Sequence, residues 1–133
     1  MQIRSAETAG FCFGVERAVS LAEQTAKSCA SAVTLGPIIH NRHVVERFEA
    51  MGLREIARAE DAQPGQTVVI RAHGIPVSEQ QTLAARGAKL VDATCPFVKK
   101  IHVIARQAEE AGRHLLIIGT PTHPEIIAIA SFS

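Results

Sequence analysis

The three cysteines, Cys12, Cys29 and Cys95, form no C-x-x-C pair, which excludes zinc ribbons, zinc fingers and ferredoxin-type cluster runs as local motifs. Their odd number and wide spacing argue against a secreted disulfide framework and for a reducing, cytoplasmic setting. No apolar segment reaches transmembrane length, and Met1 to Gly10 carries polar and charged residues where a secretory signal needs an uninterrupted apolar stretch. Net charge is nearly absent too: 14 Lys plus Arg against 13 Asp plus Glu leave +1, too little for a field that gathers nucleic acid. Neither a membrane nor a nucleic-acid partner is expected, and any anion must be held locally.

What is present is the composition of a packed globular domain, with 47% hydrophobic and 20% charged residues in 133. Strand and helix signals alternate. A short strand is expected at residues 2–6, then a helix with Val15, Ala18, Val19, Ala22 and Ala26 at helical spacing. Ala32 to Leu35 reads as a strand and His43 to Met51 as a helix stopped by Gly52. Thr67 to Ile70 reads as a strand, followed by a helix from about Pro76 to Gly87 and a strand at Lys89 to Asp92. Pro96 suits the first turn of a long helix that Gly112 closes before a last strand, Leu115 to Ile118. Strands that are apolar without alternation point to parallel sheets covered on both faces, hence an α/β fold. A boundary near Cys95 is expected, with a first module at 1–95 and an incomplete second at 96–133.

In such sheets ligands bind beyond the carboxyl ends of the strands, in the loops that enter helices. Each of the five loops read here carries one Cys or His: Cys12, His40, His73, Cys95 and His123. A free Cys most often packs as a small hydrophobe. Glycines flank Cys12 closely, however, and both Cys12 and Cys95 stand just before a helix, where N-terminal N–H groups favour a thiolate or another anion. Cys29 lies at the end of the first helix, on the opposite edge, and is read as structural. Imidazole and backbone N–H groups gathered at helix N-termini suit a phosphorylated ligand. Glu125, in the loop with His123, is a candidate proton donor. His43, His102 and His114 fall within helical or strand patterns and are read as structural.

Taken in order, Gly10-Phe11-Cys12-Phe13-Gly14-Val15, Gly36-Pro37-Ile38-Ile39-His40-Asn41, Arg71-Ala72-His73-Gly74, Asp92-Ala93-Thr94-Cys95-Pro96 and His123-Pro124-Glu125 resemble the 4-hydroxy-3-methylbut-2-enyl diphosphate reductases, the IspH or LytB family. The resemblance runs from the N-terminus to about Ile127. It implies three α/β modules around a [4Fe-4S] cluster held by three cysteines, of which Cys12 and Cys95 match two. It also implies that His40, His73 and His123 hold the substrate diphosphate and that Glu125 belongs to a proton relay. The implied reaction is the reductive removal of an allylic hydroxyl, giving isopentenyl or dimethylallyl diphosphate, with a ferredoxin or flavodoxin as electron donor.

After His123-Pro124-Glu125 the chain departs from the family pattern, reading Ile126-Ile127-Ala128-Ile129-Ala130-Ser131-Phe132-Ser133. The family continues with a glycine-containing stretch, the rest of a second module and a third module bearing the third cysteine. The resemblance therefore implies a truncated N-terminal part, inactive alone, with the apolar Leu115 to Ile118 exposed and prone to aggregation. Two other readings use the same residues: a zinc-dependent hydrolase of a phosphorylated small molecule, with Cys12, Cys95 and a histidine as ligands, and a non-catalytic phosphate-binding α/β fragment.

Overall fold

The computed structural model describes residues 1–133. Four short strands, β1 (Val33–Leu35), β2 (Arg54–Ile56), β3 (Thr67–Ile70) and β4 (Lys89–Asp92), form a parallel sheet in the order β2-β1-β3-β4. The helices are α1 (Phe13–Ser28), α2 (Arg42–Ala50), α3 (Val77–Ala85), α4 (Pro96–Glu110) and α5 (Pro124–Ala130), with a 3-10 turn at Ala59–Asp61. The α/β class expected from the alternation of strand and helix is the class observed.

Successive side chains of a strand point to opposite faces, and β3 divides its residues accordingly. Val69 packs with Ala18 and Ala22 of α1 and with Val44 and Phe48 of α2. Val68 and Ile70 pack on the other face with Leu35, Ala59, Ile75 and Leu83. Coverage on both sides is why this strand reads as an unbroken apolar run. Val68 and Val69 are wholly buried, each contributing roughly 1.5–3 kcal/mol relative to exposure.

Caps fix the helix starts. The Asn41 side chain accepts the Val44 N–H at 3.3 Å to open α2. Proline occupies the first turn of both α4 and α5, where its missing N–H costs nothing.

Two expected strands do not form. A strand exists only within a ladder, and residues 2–6 have no neighbour: residues 1–12 are exposed throughout, and their internal backbone bond is Ala9 N–H to the Ala6 carbonyl. Leu115 to Ile118 is likewise irregular. Leu115 and Ile117 pack against a small cluster of Ala105, Ile129 and Phe132 between α4 and α5, while Leu116 and Ile118 point outward, and no strand lies alongside. Conversely β2 carried no sequence signal, because Arg54-Glu55-Ile56 is an exposed edge strand with one partner.

Candidate functional site

The loops after β1, β3 and β4 open on one edge of the sheet. Pairing continues past the last strand residues, with Ala93 N–H bound to the Ile70 carbonyl (3.1 Å) and Cys95 N–H to the Ala72 carbonyl (2.9 Å). Cys12 follows no strand, contrary to the sequence reading, yet it reaches the same edge because α1 runs back along the sheet to deliver the chain to β1. At its far end Cys29 Sγ lies 3.5 Å from Thr67 Oγ1, at the amino end of β3. Cys29 is therefore on the opposite edge, as read from the sequence.

Cys12 is the N-cap of α1 and Cys95 the N-cap of α4, and neither makes a side-chain cap bond. Both line a cavity of about 160 Å³ together with Gly14, His73, Val98 and Glu125. Gly14 permits this approach: a Cβ there would lie 2.4 Å from Cys95 Sγ and 3.1 Å from its Cβ. Two thiols facing one cavity from two helix N-termini, whose unpaired N–H groups favour negative charge, are a donor set that fits an iron–sulfur group bound through thiolates.

The three loop histidines stand beside this cavity. Ring centroids are 4.6 Å apart for His40 and His73, 6.0 Å for His40 and His123, and 5.6 Å for His73 and His123. One nitrogen from each ring lies within 4.8 Å of the others. Burial, and then the neighbouring His40, His123 and Arg71, push His73 down to about 4, and its Nδ1 is buried without a partner. His123 accepts the Glu125 N–H at its Nδ1, 3.2 Å away, and so caps α5. With that lone pair engaged, the neutral ring carries its proton on Nε2. Glu125 sits half-buried in the first turn of α5, where it borders the same cavity as the thiols.

Three further residues shape the site: Arg71 and Asp92, which stand within the sequence motifs given above but had no role assigned, and Arg17, which lies outside them. The Arg17 guanidinium donates to the Thr94 carbonyl (3.2 Å) and the Asp92 carbonyl (3.4 Å). Arg71 Nε donates to the Gly74 carbonyl (3.1 Å), steadying the turn that carries His73. Burial would raise the Asp92 carboxyl, but Lys99 and Thr94 outweigh it and hold the group below the usual carboxylate range. The histidines read as structural lie away from the cavity lining: His43 is exposed on α2, His114 is exposed, and His102 is buried and stacked on Phe132 at 4.4 Å.

Comparison with known proteins follows the same geometry. A 4-hydroxy-3-methylbut-2-enyl diphosphate reductase of Aquifex aeolicus (strain VF5) is 44% identical over 128 residues, covering 96% of this chain and 44% of the relative. One from Oleidesulfovibrio alaskensis is 47% identical over 135 residues, covering 100% and 48%. A solved structure of (E)-4-hydroxy-3-methyl-but-2-enyl diphosphate reductase, described as the terminal enzyme of the non-mevalonate pathway, superposes with a TM-score of 0.82 at 44% identity, covering 96% of this chain and 45% of the other. The corresponding reductase of Plasmodium falciparum gives 0.88 at 29% identity, covering 96% and 40%. The chain spans about half the length of the curated relatives it matches. No helix is long and apolar enough to cross a membrane. The family model described as LytB protein matches residues 3–133, and the chain belongs to that family.

Proposed function

We propose that this chain is part of a 4-hydroxy-3-methylbut-2-enyl diphosphate reductase, an oxidoreductase of isoprenoid biosynthesis, and that its site edge supplies two cluster thiolates and the diphosphate-binding imidazoles. The observation that carries the reading is the single cavity lined by Cys12, Cys95, His73 and Glu125, with His40 and His123 beside it. Cys12 and Cys95 would hold a [4Fe-4S] cluster, which supplies electrons and a Lewis-acidic iron when bound. Cys29 is too far round the sheet to serve as the third ligand.

Within this reading the three imidazoles bind the diphosphate and set where the rest of the substrate lies. The His123 tautomer supports an anionic ligand, since Nε2–H is a ready donor to a phosphate oxygen. It counts against His123 as a zinc ligand, since ligation through Nε2 would put the proton on Nδ1, donor to donor against the Glu125 N–H. Glu125, on the wall of the same cavity as the thiols, serves as the proton relay to the allylic fragment. Electrons come from a ferredoxin or flavodoxin in the cytoplasm, whose reducing conditions suit the thiols. The division after Cys95 into a first module and part of a second is supported by the separate small cluster of Ala105, Ile129 and Phe132. Alone, the chain has a one-sided site that admits water and is expected to be inactive.

Anaerobic reconstitution with iron and sulfide tests the proposal. A brown protein with broad visible absorbance, lost in Cys12→Ser and in Cys95→Ser, is the expected result. Stoichiometric zinc uptake with no colour would instead return the hydrolase.

A further inference from the structure

Cys12 and Cys95 reach the same cavity by different routes, and only one of them is held from its own side. The Cys95 loop is fixed by the Cys95 N–H bond to the Ala72 carbonyl (2.9 Å), by the Thr94 N–H bond to Asp92 Oδ1 (2.9 Å), and by the Lys99–Asp92 ion pair. Cys12 has nothing comparable. Residues 1–11 before it are exposed, its own side chain is exposed, and its cap has no side-chain hydrogen bond. Its place relative to Cys95 is therefore set by how the first turns of α1 dock onto the loop after β4.

Beyond the burial of Val15 and Ala18 with Ala72 and Ala93, two contacts fix that docking. Gly14 lets the helix backbone come against the Cys95 side chain. One turn further, Arg17 donates from one terminal nitrogen to the Thr94 carbonyl and from the other to the Asp92 carbonyl, spanning 77 and 75 positions of sequence. The two acceptors flank Ala93, and Thr94, 4% exposed, directly precedes Cys95. A planar guanidinium can answer two carbonyls at a fixed separation, which the single point charge of a lysine cannot do as rigidly. Resting on the reading of Cys12 and Cys95 as paired thiolate ligands, we propose that Arg17 is a positioning residue that fixes the Cys12–Cys95 spacing by fastening α1 to the carbonyls of Asp92 and Thr94.

The test uses the full 133-residue chain carrying Cys29→Ser, so that only the two site thiols react. Dibromobimane, which fluoresces once it has bridged two thiols, reports their spacing without any cluster. Iron and sulfide reconstitution, followed by iron release to a chelator, reports it with one. Arg17→Met is expected to slow bridging, and to speed iron release by on the order of 10-fold to 100-fold, the usual range for losing an outer partner of a metal ligand. Single-thiol alkylation by iodoacetamide and the circular dichroism spectrum stay unchanged, which a merely structural arginine would not predict. Arg17→Lys recovers part of the bridging rate, and Arg113→Met, at an exposed site, behaves as the parent. If Arg17→Met does not fold, Arg17→Lys carries the comparison, slower bridging supporting the proposal and an unchanged rate overturning it. A parent that takes up no chromophore while Arg17→Met still slows bridging ends the cluster reading and leaves the spacing role standing. Bridging and iron release in Arg17→Met equal to the parent overturn the spacing role alone.

Discussion

The His40 and His73 rings lie 4.6 Å apart, centroid to centroid, at an interplanar angle of 39°. Burial disfavours a proton on His73, and the neighbouring His40, His123 and Arg71 add to this: His73 is pushed down to about 4. In the unfolded chain it titrates near its ordinary value of about 6.5. Between those limits the unfolded chain binds a proton that the folded chain does not, so folding stability rises with pH across the window. Stability is expected to fall as pH drops from about 6.5 towards 4, and His73→Asn to flatten that part of the profile. Urea midpoints at a series of pH values decide it, and a wild-type profile with no slope in the window would count against a neutral buried His73.

A diphosphate placed among the imidazoles reverses the sign of the local field. Its negative charge stabilises imidazolium, so binding raises the protonation midpoint of His73 and draws in protons from solution. Pyrophosphate is therefore expected to bind more tightly as pH falls from 7.5 to 6, and to shift the ring signals of His40, His73 and His123 together. Proton NMR of the imidazoles during a pyrophosphate titration measures both. Silence at all three rings would remove the anion site.

Much of this arrangement was legible in the sequence, for reasons tied to particular residues. Thr67 to Ile70 is apolar on both faces and buried on both, so its strand was plain. The glycines and prolines around Cys12, His40, His73, Cys95 and His123 marked the loops; the sheet brings those of His40, His73 and Cys95 to one edge, while Cys12 and His123 arrive there at the starts of α1 and α5. Residues 2–6 and Leu115 to Ile118 misled because local pattern reports only that a segment can be extended; whether another strand lies beside it is a matter of the whole fold. Arg17 was invisible for a related reason. Its partners are the backbone carbonyls of Asp92 and Thr94, and a carbonyl leaves no trace in residue identity.

Gly14→Ala sets two small energies against each other. Alanine improves on glycine within a helix by about 1 kcal/mol. Its Cβ would meet Cys95 Sγ at 2.4 Å and Cys95 Cβ at 3.1 Å, and overpacking of this kind costs roughly 1–3 kcal/mol. The sulfur can rotate aside, but the Cβ is fixed to the backbone. A net stability loss of at most about 2 kcal/mol is expected, with a displaced Cys95 thiol and failed iron–sulfide reconstitution. Denaturant melts and visible absorbance read the two effects separately; a variant both stabler and fully coloured would show that the close approach is unimportant.

Leu116 and Ile118 are 84% and 91% exposed. They border a mainly apolar cavity of about 300 Å³, to which Ile101 and Ile104 of α4 and Ile126 of α5 contribute. A contiguous patch of this kind drives association of a soluble chain, whereas scattered single apolar residues do not. The chain is expected to self-associate at micromolar concentration, with light scattering that grows with salt as surface charges are screened. Replacing both residues, Leu116→Lys and Ile118→Lys, leaves the core untouched and is expected to change stability by no more than about 0.5 kcal/mol, because neither side chain is buried. The same change interrupts the patch and adds repulsive charge, so scattering falls while the melting midpoint stays put. Were the double variant to aggregate as readily as the parent, the adhesive surface would have to be sought elsewhere, beginning with the exposed rings of Phe13 and Phe97 at the two helix starts.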